Sequence, residues 1–332
     1  SDPEVSAMAL TEEGVILDRL ERYDEAFACF VRARRSAPRN GPTPEYFLEL
    51  LHGLRAWIGE AGMSTWPRGW SGAPRPAPIF VMGFPRSGTT LIESILSAHP
   101  RLTGTDEAPL MAELVNALPV LVGASYPQGL GAIDDRHIPR LHEQYWRSAA
   151  AYIRPEVLGD RRLVDKLPLN VPNLPAIRRI FPDARIIYVR RDPRDTLISC
   201  MMQRFEAGQA IATFDTLAAL ARLYVEIEEL WQTCRDAIGL AVLEVHYDDL
   251  VDDPEPWMRR LVEFTGEAWD DQVLRFHERS AGRTISTPSY AAVSRRIFTT
   301  SRGRWRHYRR HLEGVLPQLS PWIRRGTDDG AA

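Results

Sequence analysis

The residues best suited to chemistry begin at Gly83-Phe84-Pro85-Arg86-Ser87-Gly88-Thr89-Thr90. Their spacing is G-x-x-x-x-G-x-T, a nucleotide phosphate loop with one change: Thr89 stands where such loops carry lysine. The backbone N–H groups of such a loop and of the following helix form a nest for an anion. Gly88 permits close backbone approach, while Ser87, Thr89 and Thr90 carry hydroxyls and Arg86 supplies charge. Without the lysine that serves β- and γ-phosphates, the loop fits a phosphate-type anion but fits ATP or GTP poorly. A second signal is compositional. Of 41 basic residues, Lys166 is the sole lysine. Bias toward GC-rich codons converts lysine wherever arginine is tolerated, so the survivor marks a place where a planar guanidinium does not serve. The plainer alternative is a chance survivor on the surface.

These residues need a frame. Pro78 to Met82 is a short apolar run of buried-strand type, and Leu91 to Ala98 has helical spacing that stops at His99-Pro100. Arg185 to Val189 and Leu240 to His246 read as further strands, with a helix over Thr196–Glu206 between them. Strands alternating with helices imply an α/β fold: a P-loop-like parallel sheet flanked by helices on both faces. Such sheets bind ligands at the C-terminal ends of their strands, where the residues above lie. Ahead of the sheet, residues 10–38 read as two helices around a turn at Glu21–Tyr23. Gly14, Leu17, Ala26, Phe30, Ala33 and Pro38 follow tetratricopeptide spacing, a small α-helical N-terminal repeat. A helix over about 44–60 and a Pro/Gly/Ser-rich linker at Pro67–Pro78 follow. The expected domains are 1–45 (helical hairpin), 46–77 (helix and linker), 78–315 (the α/β domain) and 316–332 (tail).

From about Pro78 to Leu312 the chain resembles the sulfotransferases that use 3'-phosphoadenosine 5'-phosphosulfate (PAPS). The loop Phe84–Thr90 looks like their 5'-phosphosulfate loop, and the likeness is nearest to protein-tyrosine sulfotransferases and bacterial tetratricopeptide-repeat sulfotransferases. The resemblance implies that Arg191 and Ser199, spaced R-x7-S, bind the 3'-phosphate, with Arg190 and Arg194 as competitors, and that Tyr247 contacts the nucleotide. It implies a catalytic glutamate eight residues beyond His99, at Glu107, with Asp106 as the alternative base. A surface acidic pair is the plainer reading of those two. Lys166 then corresponds to the family lysine that stabilises the transition state, and Ser289 to the transition-state serine. Arg304 takes the place of a family lysine in a segment that folds over the nucleotide. The arginines at 295, 296, 302, 304, 306, 309 and 310 suit a lid over an anionic ligand better than a nucleic-acid patch.

The net charge of -3 gives no reason to expect nucleic acid or an anionic membrane as partner, and no apolar run approaches a membrane span. Cys29, Cys200 and Cys234 suit neither a disulfide framework nor a zinc site, and no metal-ligand spacing occurs among the eight histidines. The expectation is a cytoplasmic bacterial enzyme with PAPS and its product adenosine 3',5'-bisphosphate (PAP) as ligands, no metal, and room for a homodimer. The acceptor hydroxyl stays open among peptide tyrosine, carbohydrate and small molecules. Two rivals stand beside this reading. A P-loop kinase or NTPase predicts lysine at position 89, and a non-catalytic scaffold predicts loss of Glu107 or Lys166.

Overall fold

The computed structural model describes residues 2–38, 42–60, 75–205, 210–280 and 302–324. Helices α1 (Pro3–Arg19), α2 (Tyr23–Ser36) and α3 (Pro44–Glu60) precede the first strand, β1 (Ile79–Gly83). There follow α4 (Thr89–Ala98), β2 (Leu102–Gly104), α5 (Leu110–Val122), α6 (Ile138–Tyr152), α7 (Pro155–Leu158) and β3 (Arg162–Lys166). Then come α8 (Leu174–Ile180), β4 (Arg185–Arg190), α9 (Pro193–Met201), α10 (Leu217–Ile238), β5 (Ala241–His246), α11 (Tyr247–Asp252) and α12 (Pro254–Thr265). By internal contacts the chain divides into two units. One comprises 54–190 and 230–298, the other 1–53, 191–229 and 299–332.

The first unit holds the parallel sheet, in the order β2-β3-β1-β4-β5. All five residues of β1 are buried, which is why this stretch reads as an unbroken apolar run rather than an alternation. β5, at the edge, does alternate: Leu243 and Val245 are buried between more exposed neighbours. From β1 the chain moves through α4 toward β2; from β3 it passes through α8 over β1 to β4. Right-handed crossovers in opposite directions put α4 and α8 on opposite faces and open a crevice at the carboxyl ends of β1 and β3. Both faces are apolar. Ile79, Val81, Val164 and Ile187 pack with Ile92 and Ile95 of α4 and Leu261 of α12. Phe80 meets Phe181 at 6.0 Å between ring centres, and Phe181 meets Tyr145 of α6 at 4.8 Å. The expected α/β sheet with flanking helices is the fold observed.

Details differ from expectation. β2 and β3 carry no sequence signal of their own, being short or charged. The helix expected over Thr196–Glu206 runs instead over Pro193–Met201. Its start is set by Asp192, whose carboxylate accepts from the Arg194 N–H, and by proline in the first turn, where a missing N–H costs nothing.

In the second unit α1 and α2 form a hairpin, turned at Glu21, which takes a left-handed φ of 59°. Leu17, Ala26, Cys29 and Phe30 make its core. Arg34, buried on α2, donates to the carbonyls of Cys200, Gln203, Ile211 and Phe214. Nearly all the capacity of one guanidinium is spent on organising the segment after α9. Among the described residues, no helix is long and apolar enough to cross a membrane.

Candidate functional site

The loop from Gly83 to Thr90 joins β1 to α4 at the carboxyl edge of the sheet. Gly88 adopts a φ of 108°, which L side chains rarely reach, and a Cβ there would lie 2.5 Å from the Tyr247 ring. Tyr247, which opens α11 just beyond β5, therefore packs on the loop itself. Arg86 has a left-handed φ of 72°, a costly conformation for a non-glycine residue and one that clusters at ligand sites. Ser87, Thr89 and Thr90 are buried. The Ser87 Oγ is buried with no hydrogen-bond partner among the described residues.

One strand away, β3 brings Lys166 to the same edge, in register with Val81. Lys166 is no surface survivor: its side chain is 0% exposed. Its Nζ lies 2.8 Å from Glu107 Oε1 and 3.3 Å from Glu93 Oε2. Its backbone N–H donates to Thr105 Oγ1 at 3.0 Å, tying β3 to the turn after β2. In that turn Asp106 and Glu107 take φ values of 51° and 68°, two consecutive left-handed non-glycine residues. The turn is held by Glu93 of α4, whose Oε1 accepts the Asp106 N–H at 2.8 Å. Glu93 passes so close to the end of β2 that a Cβ on Gly104 would lie 2.5 Å from its Oε1. Asp106 and Glu107 are thus half-buried parts of an ion-paired cluster rather than a solvated surface pair.

The charges support one another. Burial alone would lower the Lys166 pKa, but Glu93, Glu107 and Asp106 together outweigh it and raise the value, keeping the ammonium charged. Burial raises the pKa of Glu93, with Lys166 and the Asp106 N–H pulling the other way. On the opposite face of β3, Asp165 accepts from the Tyr145 hydroxyl at 2.7 Å and is pushed up to about 7 by burial.

At the end of β4, Arg190 lies 3.6 Å from Glu244. Arg191 and Ser199 belong to the helical unit, Ser199 on α9. There Arg194 chelates Asp192, at 2.6 Å from Nη2 to Oδ2, and stacks on Trp305 at 3.8 Å. Asp195 accepts the backbone N–H groups of Gly303 and Trp305 at 2.7 and 2.9 Å. Burial raises the pKa of Asp195, while Arg191 and these two N–H groups favour its charged form. Arg304 pairs with Asp18, which also accepts from the Tyr308 hydroxyl at 2.5 Å. Ser289 lies outside the described residues, as do Arg295 and Arg296. Among the described residues, no group of His, Cys, Asp or Glu is gathered as metal ligands would be.

The model of the sulfotransferase family matches residues 78–271, more than half of the chain. The chain belongs to the sulfotransferase family. An uncharacterized protein of Aquifex aeolicus (strain VF5) is 28% identical over 323 residues, covering 94% of this chain and 41% of that protein. Protein-tyrosine sulfotransferase 1 of Danio rerio is 30% identical over 213 residues, covering 62% of this chain and 57% of its own length. This chain therefore spans about half the length of the curated relatives it matches. The sulfotransferase domain of the Synechococcus PCC 7002 olefin synthase aligns at 20% identity and a TM-score of 0.48, covering 73% of this chain and 91% of that domain.

In this member of the family, the structure brings Arg86, Ser87, Gly88, Thr89, Thr90 and Tyr247 together at the loop, and Lys166 together with Glu107 one strand away. Sequence reasoning missed Glu93, Asp195 and Asp18. A signal for Glu93 existed. It is a single carboxylate inside the apolar run Leu91-Ile92-Glu93-Ser94-Ile95-Leu96, and such a charge requires a buried partner. The sole lysine supplies it. No local signal marks the hydrogen bonds of Asp18 or Asp195, which reach more than a hundred residues away.

Proposed function

We propose that this chain moves a sulfuryl group from PAPS to an acceptor hydroxyl. The observation that carries the reading is Lys166: a fully buried ammonium, paired with Glu107, one strand from a phosphate-type loop. A buried ion pair stabilises a fold weakly at best, since desolvation offsets the attraction, so stability gives little reason to keep one here. Sulfuryl transfer gives a reason. An acceptor oxygen bonds to sulfur, the bond from sulfur to the bridging oxygen breaks, and its electron pair stays on that oxygen of PAP. The acceptor proton must leave and the developing charge must be met by a cation.

Glu107 is suited to take that proton on its carboxylate, being 22% exposed where Lys166 is closed off. Lys166 is suited to meet the charge as a compact point cation. The loop would hold the 5' end of the nucleotide. The left-handed Gly88 and the buried Ser87 Oγ, unpartnered among the described residues, fit an anion at the start of α4. By family resemblance, Arg191 and Ser199 would hold the 3'-phosphate. Arg304 would have to exchange Asp18 for the ligand, so its contribution to affinity is expected to be smaller than that of Arg191. Ser289 keeps its proposed transition-state role on resemblance alone. The relatives' names make peptide tyrosine the first acceptor to try, ahead of carbohydrate and small phenols.

Calorimetric titration with PAP tests the nucleotide half. PAP should bind without added metal and far more tightly than ATP with Mg²⁺. Arg191→Ala should weaken it by roughly 1.5–3 kcal/mol, the usual worth of a charged hydrogen-bond pair. Tight Mg²⁺-dependent ATP binding would favour the kinase reading, and an Arg191→Ala protein with parental affinity would remove that residue from the site.

A further inference from the structure

Lys166 faces two carboxylates that differ in kind. Glu107 is the nearer, at 2.8 Å, and is 22% exposed at the tip of a strained turn. Glu93 is the farther, at 3.3 Å, is only 9% exposed, and sits on a regular helix. Its two oxygens do two jobs: Oε2 faces the ammonium, and Oε1 fixes the N–H of Asp106, directly before Glu107. Gly104 leaves room for this carboxylate to pass.

The arrangement answers a difficulty in the reading above, on which this inference rests. Lys166 has one ammonium for two tasks: it pairs with Glu107 at 2.8 Å, and it must meet the charge on the transferring group. It reaches that group only by turning from Glu107. A buried lysine with one carboxylate would then lose its counter-charge when it is most needed. A second carboxylate removes that conflict.

We propose that Glu93 is a positioning residue for transfer, holding the Lys166 ammonium and the Asp106–Glu107 turn at once. Lys166 can thereby exchange Glu107 for the incoming sulfuryl donor while keeping an anionic partner. Glu93 touches neither substrate. It acts through Lys166 and through the turn, and it is the fixed partner where Glu107 is the exchangeable one.

The position separates charge from scaffold. Glu93→Gln keeps an amide oxygen for the Asp106 N–H and removes the charge; Glu93→Ala removes both. PAP affinity is read by calorimetry, folding by Tm, and turnover by release of PAP from PAPS, with tyrosine peptide or water as acceptor. Glu93→Gln should lower turnover at saturating PAPS by at least about tenfold, a barrier change of roughly 1.4 kcal/mol. Its PAP affinity should be equal to or tighter than the parent's, since one negative charge has left the neighbourhood of an anion. Glu93→Ala should lose more turnover than Glu93→Gln, because the turn is released as well. In a Lys166→Met background, Glu93→Gln should change turnover by less than about twofold, the mark of coupling through the lysine.

A merely structural glutamate would lower Tm, affinity and rate together, and would do so equally with or without Lys166; that result overturns the proposal. So does parental turnover in Glu93→Gln. Should the parent protein fail to bind PAP at all, the sulfotransferase reading falls first, a result distinct from either.

Discussion

Lys166 and Glu107 carry the proposed chemistry, and each can be changed with little loss of shape. Lys166→Arg keeps the charge and alters only size and geometry, in a pocket that leaves the lysine head no exposure. Turnover in that variant should fall at least about tenfold, with PAP affinity and Tm measured beside it to show that the site still forms. Parental turnover would mean that the lone lysine persisted by chance. Glu107→Gln should lower turnover by roughly 10²–10⁴, the usual contribution of a positioned base. Its PAP affinity should barely move, because the carboxylate is expected to face the acceptor. Asp106→Asn is the control, since its neighbour shares the turn; a larger loss there would move the base by one residue. These residues were legible to different degrees. Lys166 stood out by composition and Glu107 only through the family resemblance, whereas Glu93 is visible only as a charge in an apolar helix until the fold brings it to the lysine.

At the scale of elements, β3 separates two environments. One face carries Lys166 to the crevice; the other turns Asp165 toward Tyr145 in an aromatic layer. Asp165 is held up at about 7 by burial, its hydrogen bond from Tyr145 working the other way. In the unfolded chain it titrates near about 3.9. Between those values the folded protein keeps a proton that the unfolded chain has lost. Stability from this group therefore falls as pH rises from about 4 to about 7, then levels off. Asp165→Asn keeps an oxygen for the Tyr145 hydroxyl and removes the titration. Thermal unfolding across about pH 5 to 8 should show the variant gaining Tm relative to the parent as pH rises; parallel curves would contradict this. The same strand shows why part of the fold was illegible. In β3 two of the five residues near its end are Asp165 and Lys166, so the run lacks the apolar continuity of β1. β2 spans only Leu102–Gly104 and shows no period. β1 and β4, with their apolar runs, and β5 could be read; β2 and β3, which lead to Asp106, Glu107 and Lys166, could not. The start of α9 was missed for a related reason. Its cap lies in Asp192-Pro193, inside an Arg/Asp-rich stretch that reads as an ion-pair cluster.

For the whole molecule, family membership rests on residues 78–271, while the likeness to the Aquifex aeolicus protein runs over 323 residues. The hairpin α1–α2 has work of its own in the helical unit. Asp18 holds Arg304 and Tyr308, and Arg34 gathers the carbonyls of Cys200, Gln203, Ile211 and Phe214, so both ends of that unit's sequence meet at α9 and its neighbours. Those long-range ties could not be read from local spacing, which shows a repeat-like hairpin but not its partners. The central claim concerns what the assembled protein does with PAPS, and the most direct measurement is transfer of labelled sulfuryl from PAPS to a panel of hydroxyl acceptors headed by tyrosine peptides. The account predicts that label moves to an acceptor with stoichiometric release of PAP, without added metal, and that Lys166→Arg slows this by at least about tenfold. A protein that binds PAP yet leaves the label on PAPS with every acceptor class would contradict it.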